Sequence, residues 1–232
     1  MQKSLSFVDN IVAATKQARN EEQLLAITRK DFTVKSMTPN GDCPYKLMGM
    51  WQRIHLIRRL GYQIPAKAIE DVHLYQILAM CSKIADEQEK QFFKGNDTLQ
   101  HLIVQSLSDW SCTLEQNNGR NAEVQAALQS LSAGMQDNEW LHSKDALDLH
   151  SFLIRQPHEV FAESAEMEVF NFLEQVQLAV YLPGGFCEVY PQSGRPEDDK
   201  ECFIGICIGN HYYLAVPKTW IKDEQGRSIG KQ

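Results

Sequence analysis

Apolar positions recur at helical spacing through the first two-thirds of the chain and switch to strand-like runs in the last third. Asn20 followed by Gln23 reads as a capping box ahead of Leu24, Leu25 and Ile27. Phe32 to Met37 reads as a short strand entering the turn Pro39-Asn40-Gly41. A helix is expected from Pro44, since proline fits a first helical turn, and it should stop at Gly61. Leu47, Trp51, Ile54 and Arg58 fall on one stripe with Met50 and Ile57 beside it, which predicts a well-buried helix.

Pro65 is positioned to start a long helix carrying Ile69, Val72, Ile77, Met80, Cys81 and Ile84, closed near Gly95. Asp97 is expected to cap the next, bearing Leu99, Leu102, Ile103, Leu107, Trp110 and Leu114 and ending at Asn117-Asn118-Gly119. Asn121 to Gly134 predicts a third, and Ser143 caps a fourth through Leu147 and Leu153. Their apolar stripes read as mutual packing surfaces.

After a helical stretch from Glu166 to Leu173 the period changes. Val176 to Leu182 predicts a strand bounded by Pro183-Gly184-Gly185, and Phe186 to Tyr190 a second. A polar segment from Pro191 to Lys200 follows as an exposed loop. Cys202 to Ile208 and His211 to Val216, separated only by Gly209-Asn210, form a strong hairpin signal with His211 at the first strand position. Helices first and strands last indicate an α+β protein.

Composition narrows the function. Lys and Arg number 23 against 30 Asp and Glu, for a net charge of −7. That disfavours duplex nucleic acid, whose binding depends on phosphate neutralisation, and suits a partner with a basic edge. No apolar run reaches the ~18 residues of a membrane span. The start of the chain, which soon meets Asp9 and Asn10, lacks the apolar centre of a signal peptide. The 6 cysteines form no Cys-x-x-Cys pair, so they read as reduced thiols of a cytosolic protein. Cys202, Cys207 and His211 do not assemble a tetrahedral metal set on strand spacing. No metal or other cofactor is expected. The histidines at 55, 73, 101, 142, 150 and 158 read mostly as surface or satisfied structural residues.

The candidate chemistry converges on Cys43 and His211. Cys43 lies between a Gly-containing turn and a proline-started helix, where unpaired N–H groups and the helix dipole favour a thiolate. An imidazole at a strand start is suited to serve that thiol as base and the leaving amine as acid. Backbone N–H groups near Gly41 and Cys43 would hold a tetrahedral oxyanion; Pro44 has none to offer.

Asn40-Gly41-Asp42-Cys43-Pro44-Tyr45 resembles the cysteine loop of the ovarian-tumour (OTU) protease family, usually Asp-Gly-Asn-Cys-Leu-Phe, and Gly209-Asn210-His211-Tyr212 resembles that family's histidine strand. The order of cysteine loop, buried helix, helical region, strands and histidine also agrees. The resemblance implies a papain-like OTU fold, a small mixed β-sheet packed between helices. It implies a single catalytic domain over residues 1–232, with a helical insertion lobe at 66–155 similar to that of bacterial effector members. The implied activity is thiol-dependent hydrolysis of isopeptide bonds after the C-terminal glycine of ubiquitin or polyubiquitin, with Cys43 as nucleophile and His211 as general base and acid. The implied setting is cytoplasmic, or the host cytosol for a secreted effector.

The sequence departs from the family pattern in three places. Asn40 and Asp42 are exchanged relative to the usual loop, Pro44 replaces leucine, and Tyr213 stands where Asp or Asn often follows the histidine. Asn40 is the first choice to orient His211, with Asp42 and Asn210 as alternatives. Tyr212 and Trp140 are placed as walls of a narrow glycine channel. An inactive ubiquitin-binding module and a papain-like peptidase or acyltransferase acting on another protein remain the competing readings.

Overall fold

The structure is a computed structural model that describes residues 13, 16–38, 41–70, 72–112, 121–182, 187–190, 202–209 and 211–222. The protein is α+β. Two compact units divide the chain: a sheet unit drawn from Met1–Pro39, Lys46–Val72 and Asn171–Gln232, and a helical unit from Asn40–Tyr45 and His73–Phe170.

In the sheet unit, α1 (Glu21–Thr28) starts where the Gln23 N–H donates to the Asn20 side chain at 2.9 Å. The reciprocal half of the expected box is shifted by one residue: Gln23 accepts from the Arg19 N–H. Strand β1 (Phe32–Ser36) follows, then α2 (Cys43–Arg59), which Gly61 closes with a φ of +77° that favours glycine. Further along come β3 (Gln177–Tyr181), β4 (Cys187–Tyr190), β5 (Cys202–Ile208) and β6 (His211–Pro217). These form a sheet in the order β1-β6-β5-β3-β4, with β3 and β5 parallel and the other pairs antiparallel. Every residue of β3 is buried, as expected for a strand covered on both faces. The expected hairpin is present, with Ile208 opposite His211 and Cys207 opposite Tyr212. The Pro183-Gly184-Gly185 turn and the polar 191–200 stretch lie outside the described residues.

Helix α2 is bound to this sheet by an i, i+4, i+8 stripe. Leu47 covers Gly205, where an added Cβ would meet the leucine at 2.8 Å. Trp51 stacks on Phe203 with centroids 4.4 Å apart and planes 2° from parallel, and His55 meets the same ring edge-on. One helical turn of four residues advances about 6 Å, and two strand residues advance about 6.6 Å, so the two ladders keep step. Residue numbers rise along α2 as they fall along β5, so the helix runs antiparallel to that strand. Its N-terminal end within this unit therefore lies toward the β5–β6 turn. Burying Phe203 alone contributes about 1.5–3 kcal/mol.

The Pro65 expectation is overturned. Pro65 takes φ −64° and ψ 142°, an extended conformation, and Ile64–Pro65 forms β2, paired in parallel with β7 (Ile221–Lys222). A proline's fixed φ suits extended backbone as well as a helix start, and pairing with a segment far along the chain decides between them.

In the helical unit, α3 therefore begins only at Leu74 and runs to Phe93, with the His73 N–H donating to Gln76 Oε1. Helix α4 (Asp97–Cys112) is capped by Asn96, not Asp97, because the Leu99 N–H donates to Asn96 Oδ1 at 3.0 Å. It is described as far as Cys112, and residues 113–120, including the expected Asn117-Asn118-Gly119 end, lie outside the described residues. Helix α5 (Ala122–Gly134) begins just after Asn121, which caps it, and α7 (Lys144–Ile154) carries the predicted cap Ser143, with the short α6 (Asn138–Leu141) between them. Helix α8 (Ser164–Glu174) leads toward β3. Ile77, Cys81 and Ile84 on α3, Leu102 and Trp110 on α4, Leu128 on α5 and Leu147 on α7 are buried, as their periodicity implied.

Candidate active site

In the sheet unit, His211 opens β6 beside Gly209, whose φ of +60° makes the turn. Antiparallel pairing places Ser36 directly opposite Tyr213. Side chains alternate along a strand, so residues 211 and 213 share a face, and Ser36 becomes the diagonal neighbour of His211 on it. The Ser36 Oγ lies 2.8 Å from His211 Nε2. Tyr213 presents its ring edge-on to the imidazole at 4.7 Å and 89°, and its hydroxyl donates to Glu21 Oε1 at 2.7 Å. Removal of the phenol from water, and then the hydrogen bond to Glu21, push the Tyr213 hydroxyl up to about 12. The imidazole is thus fixed at one nitrogen by a hydroxyl and supported by a phenol that stays neutral.

Ser36 was not among the residues expected to orient His211. Asn40 and Asn210 lie outside the described residues. The signal for Ser36 is a register: it exists only once β1 is paired with β6, a partnership across most of the chain.

In the helical unit, Cys43 is the first residue of α2 and is 2% exposed. The opening N–H groups of a helix have no carbonyl within it to bind, so this end offers donors to an anion, and Pro44 contributes none. Gly41 has a φ of +87°, and a Cβ there would sit 3.1 Å from the His158 carbonyl oxygen. Asp42 is wholly buried, and its Oδ2 stands 3.0 Å from His158 Nδ1. Sequence reasoning had grouped His158 with the surface and structural histidines. Its pairing with Asp42 makes it a partly exposed, partnered histidine beside the cysteine loop.

Behind the loop, Tyr45 is wholly buried and its hydroxyl makes no hydrogen bond among the described residues. Burial pushes the Tyr45 phenol well above its ordinary value, helped by Glu166, Cys81 and Glu163. The Cys81 thiol is pushed up to about 12, first by burial, then by Glu166, and also by Asp42. Cys81 is accordingly an inert thiol at neutral pH. Glu166 accepts from Gln88 Nε2 at 3.2 Å and from the Glu163 N–H at 2.6 Å, and stands 3.1 Å from His150 Nε2. His150 and Glu166 are both fully enclosed, and the Trp110 indole stacks on the His150 ring at 4.8 Å. This is a structural polar core.

Trp140, on α6, lies against Gly134, where an added Cβ would come within 2.6 Å of the indole. That contact gives it a packing role at the end of α5. Tyr212 faces away from His211 by strand alternation, and its carbonyl accepts from the Met37 N–H at 3.1 Å. Cys207 is a buried thiol donating to the Gly209 carbonyl. Among the described residues no group of three or more His, Cys, Asp and Glu side chains is arranged to hold a metal ion, and no helix is long and apolar enough to cross a membrane. No family model matches the chain, and no curated protein matches it.

Proposed function

We propose that the protein is an OTU-like thiol isopeptidase that hydrolyses the bond after the C-terminal glycine of ubiquitin, with Cys43 as nucleophile and His211 as general base and acid. The observation that carries this reading is the direction of α2. Within the sheet unit it runs antiparallel to β5 and away from the end of the sheet where His211 opens β6, and Cys43 is the first residue of the same helix.

The chemistry follows from the local geometry. With Nε2 bonded to Ser36, Nδ1 is the ring nitrogen left to exchange protons. His211 takes the Cys43 proton, and the thiolate attacks the glycine carbonyl carbon. Backbone N–H groups at Gly41 and Cys43 hold the oxyanion, as the open end of a helix is suited to do. The carbon–nitrogen bond breaks as His211 returns the proton to the departing lysine amine, leaving a thioester. Water, deprotonated by His211, then releases the ubiquitin carboxylate. No cofactor enters these steps. The net charge of −7 favours approach of ubiquitin's basic tail. A cytosolic substrate, in the host cell if the protein is a secreted bacterial effector, accords with Cys43, Cys81, Cys112 and Cys207 being free thiols.

A ubiquitin probe bearing a C-terminal electrophile tests the reading. Covalent capture is expected for the full chain, absent in Cys43→Ala and sharply reduced in His211→Ala. Non-covalent ubiquitin binding without capture would instead indicate an inactive binding module. Neither binding nor capture would leave a papain-like enzyme with another substrate.

A further inference from the structure

Glu21 and Ser36 come from opposite ends of one short segment of chain, yet both reach the strand that carries His211. Helix α1 rises about 10 Å from Glu21 to Thr28, and β1 extends about 13 Å from Phe32 to Ser36. Between them the Lys30 and Asp31 N–H groups bond back to Ile27 and Thr28. The two lengths are similar, so a reversal there returns Ser36 to the end of the helix that Glu21 begins. Tyr213 meets both residues: it is the strand partner of Ser36, and its hydroxyl donates to Glu21 Oε1 at 2.7 Å.

Glu21 is a firm anchor for that hydroxyl. Leu24 and Leu25 are buried and hold α1 against the core, Asn20 caps its first turn, and a carboxylate at that end of a helix is favoured by the dipole. The Tyr213 ring is therefore held at both ends, by its backbone in β6 and by its hydroxyl on α1. Without Glu21 this half-buried phenol would be free to exchange among staggered rotamers. Burial and the Glu21 contact push the phenol up to about 12 against an opposing Arg29, so it stays a donor at neutral pH.

The fixed ring matters for the imidazole beside it. One hydrogen bond, between Ser36 and Nε2, sets the place of that nitrogen but leaves the imidazole free to turn about the bond. The Tyr213 ring, with its centroid 4.7 Å away and its plane at 89°, blocks that turn. Two contacts from different residues thus define the direction in which Nδ1 points.

We propose that Glu21 is a positioning residue for His211: it acts through Tyr213, fixing the phenol ring against which the imidazole rests, so that α1 and β1 together clamp the histidine. This inference rests on the reading of His211 as general base and acid. It gives α1 a role beyond packing, because the first side chain of the helix completes a line of contacts that ends at the imidazole.

The His211 Cε1–H resonance of the full chain, assigned by its loss in His211→Gln, reads the arrangement directly, because a ring held edge-to-face shifts a neighbouring proton by its ring current. Glu21→Ala and Tyr213→Phe are expected to move this resonance in the same direction at both ends of its titration. Each should also lower kcat on a fluorogenic ubiquitin C-terminal amide by about fivefold with little change in KM, within the range an edge-to-face aromatic pair is worth. The double variant should lose no more than either single one, as for two residues acting in one line. Glu21→Gln keeps an accepting oxygen and should restore most of the rate and the wild-type resonance. An unmoved resonance in both single variants overturns the proposal, as do losses that multiply in the double variant. A Glu21→Gln variant as impaired as Glu21→Ala overturns it too, since an accepting oxygen would then not be what holds the phenol. The resonance needs no ubiquitin. The full pattern of shifts without any probe capture overturns the ubiquitin reading alone, and wild-type capture without the pattern overturns the Glu21 inference alone.

Discussion

The Ser36 hydroxyl and the His211 imidazole, on neighbouring antiparallel strands, stand 2.8 Å apart through Nε2. A hydroxyl is thus a described partner of the imidazole, while Asn40 and Asn210 lie outside the described residues. Ser36→Ala is therefore expected to lower turnover of a fluorogenic ubiquitin C-terminal amide by about tenfold, the loss of roughly one neutral hydrogen bond. The effect should fall on kcat more than on KM, and Ser36→Thr should restore most of it. Unaltered kcat in Ser36→Ala would remove Ser36 from the orienting role.

Gly205 and Leu47 define how closely α2 approaches the sheet. Gly205→Val should destabilise the fold by about 1–3 kcal/mol, because the new side chain enters space filled by the leucine. Combining it with Leu47→Ala should cost less than the sum of the two single changes, since each relieves the other. Urea midpoints of the single and double variants check this. Strict additivity would show that the helix does not rest on the strand at this point.

Tyr213 links the histidine strand to α1 through Glu21. Its folded value near 12 stands above the ordinary tyrosine value of about 10, so the unfolded chain releases this proton first as pH rises. The associated stability is complete below about pH 10 and is lost progressively toward pH 12. Tyr213→Phe should flatten that part of the stability profile and remove one late-titrating phenol from the ultraviolet titration. Tyr45 will remain as another late phenol. If the phenol lost in Tyr213→Phe titrates near pH 10, the contact with Glu21 is absent in solution.

Much of the local structure was legible because it is written in short-range chemistry. Asn20, Asn121 and Ser143 cap helices since each places an oxygen next to otherwise unbonded N–H groups. The β5–β6 hairpin formed beside Gly209 for a similarly local reason. Where two local answers were equal, the sequence did not choose: Asn96 and Asp97 are both good caps, and the backbone uses Asn96. Pro65 failed differently. Its extended pairing depends on Ile221 and Lys222, far along the chain.

The same distinction separates the candidate site residues. Cys43 and His211 announced themselves by their neighbours in sequence. Ser36 and His158 did not, because each becomes relevant only through a partner remote in the chain, Ser36 by strand register and His158 by its approach to Gly41 and Asp42. A lone serine at a strand end or a histidine in a loop has no sequence signature of its own.

The helices α2 and α8 each belong to both units: α2 passes from the helical to the sheet unit after Tyr45, and α8 after Phe170. Neither junction is a linker. A deletion meant to excise the helical unit would remove the first turn of α2 and cut α8 after Phe170, leaving of α8 only Asn171–Glu174, too short a piece to nucleate a helix. The chain is thus poorly suited to modular exchange. A graft or circular permutation that respects only the surface outline of the units would break the hydrogen-bond ladders that carry them.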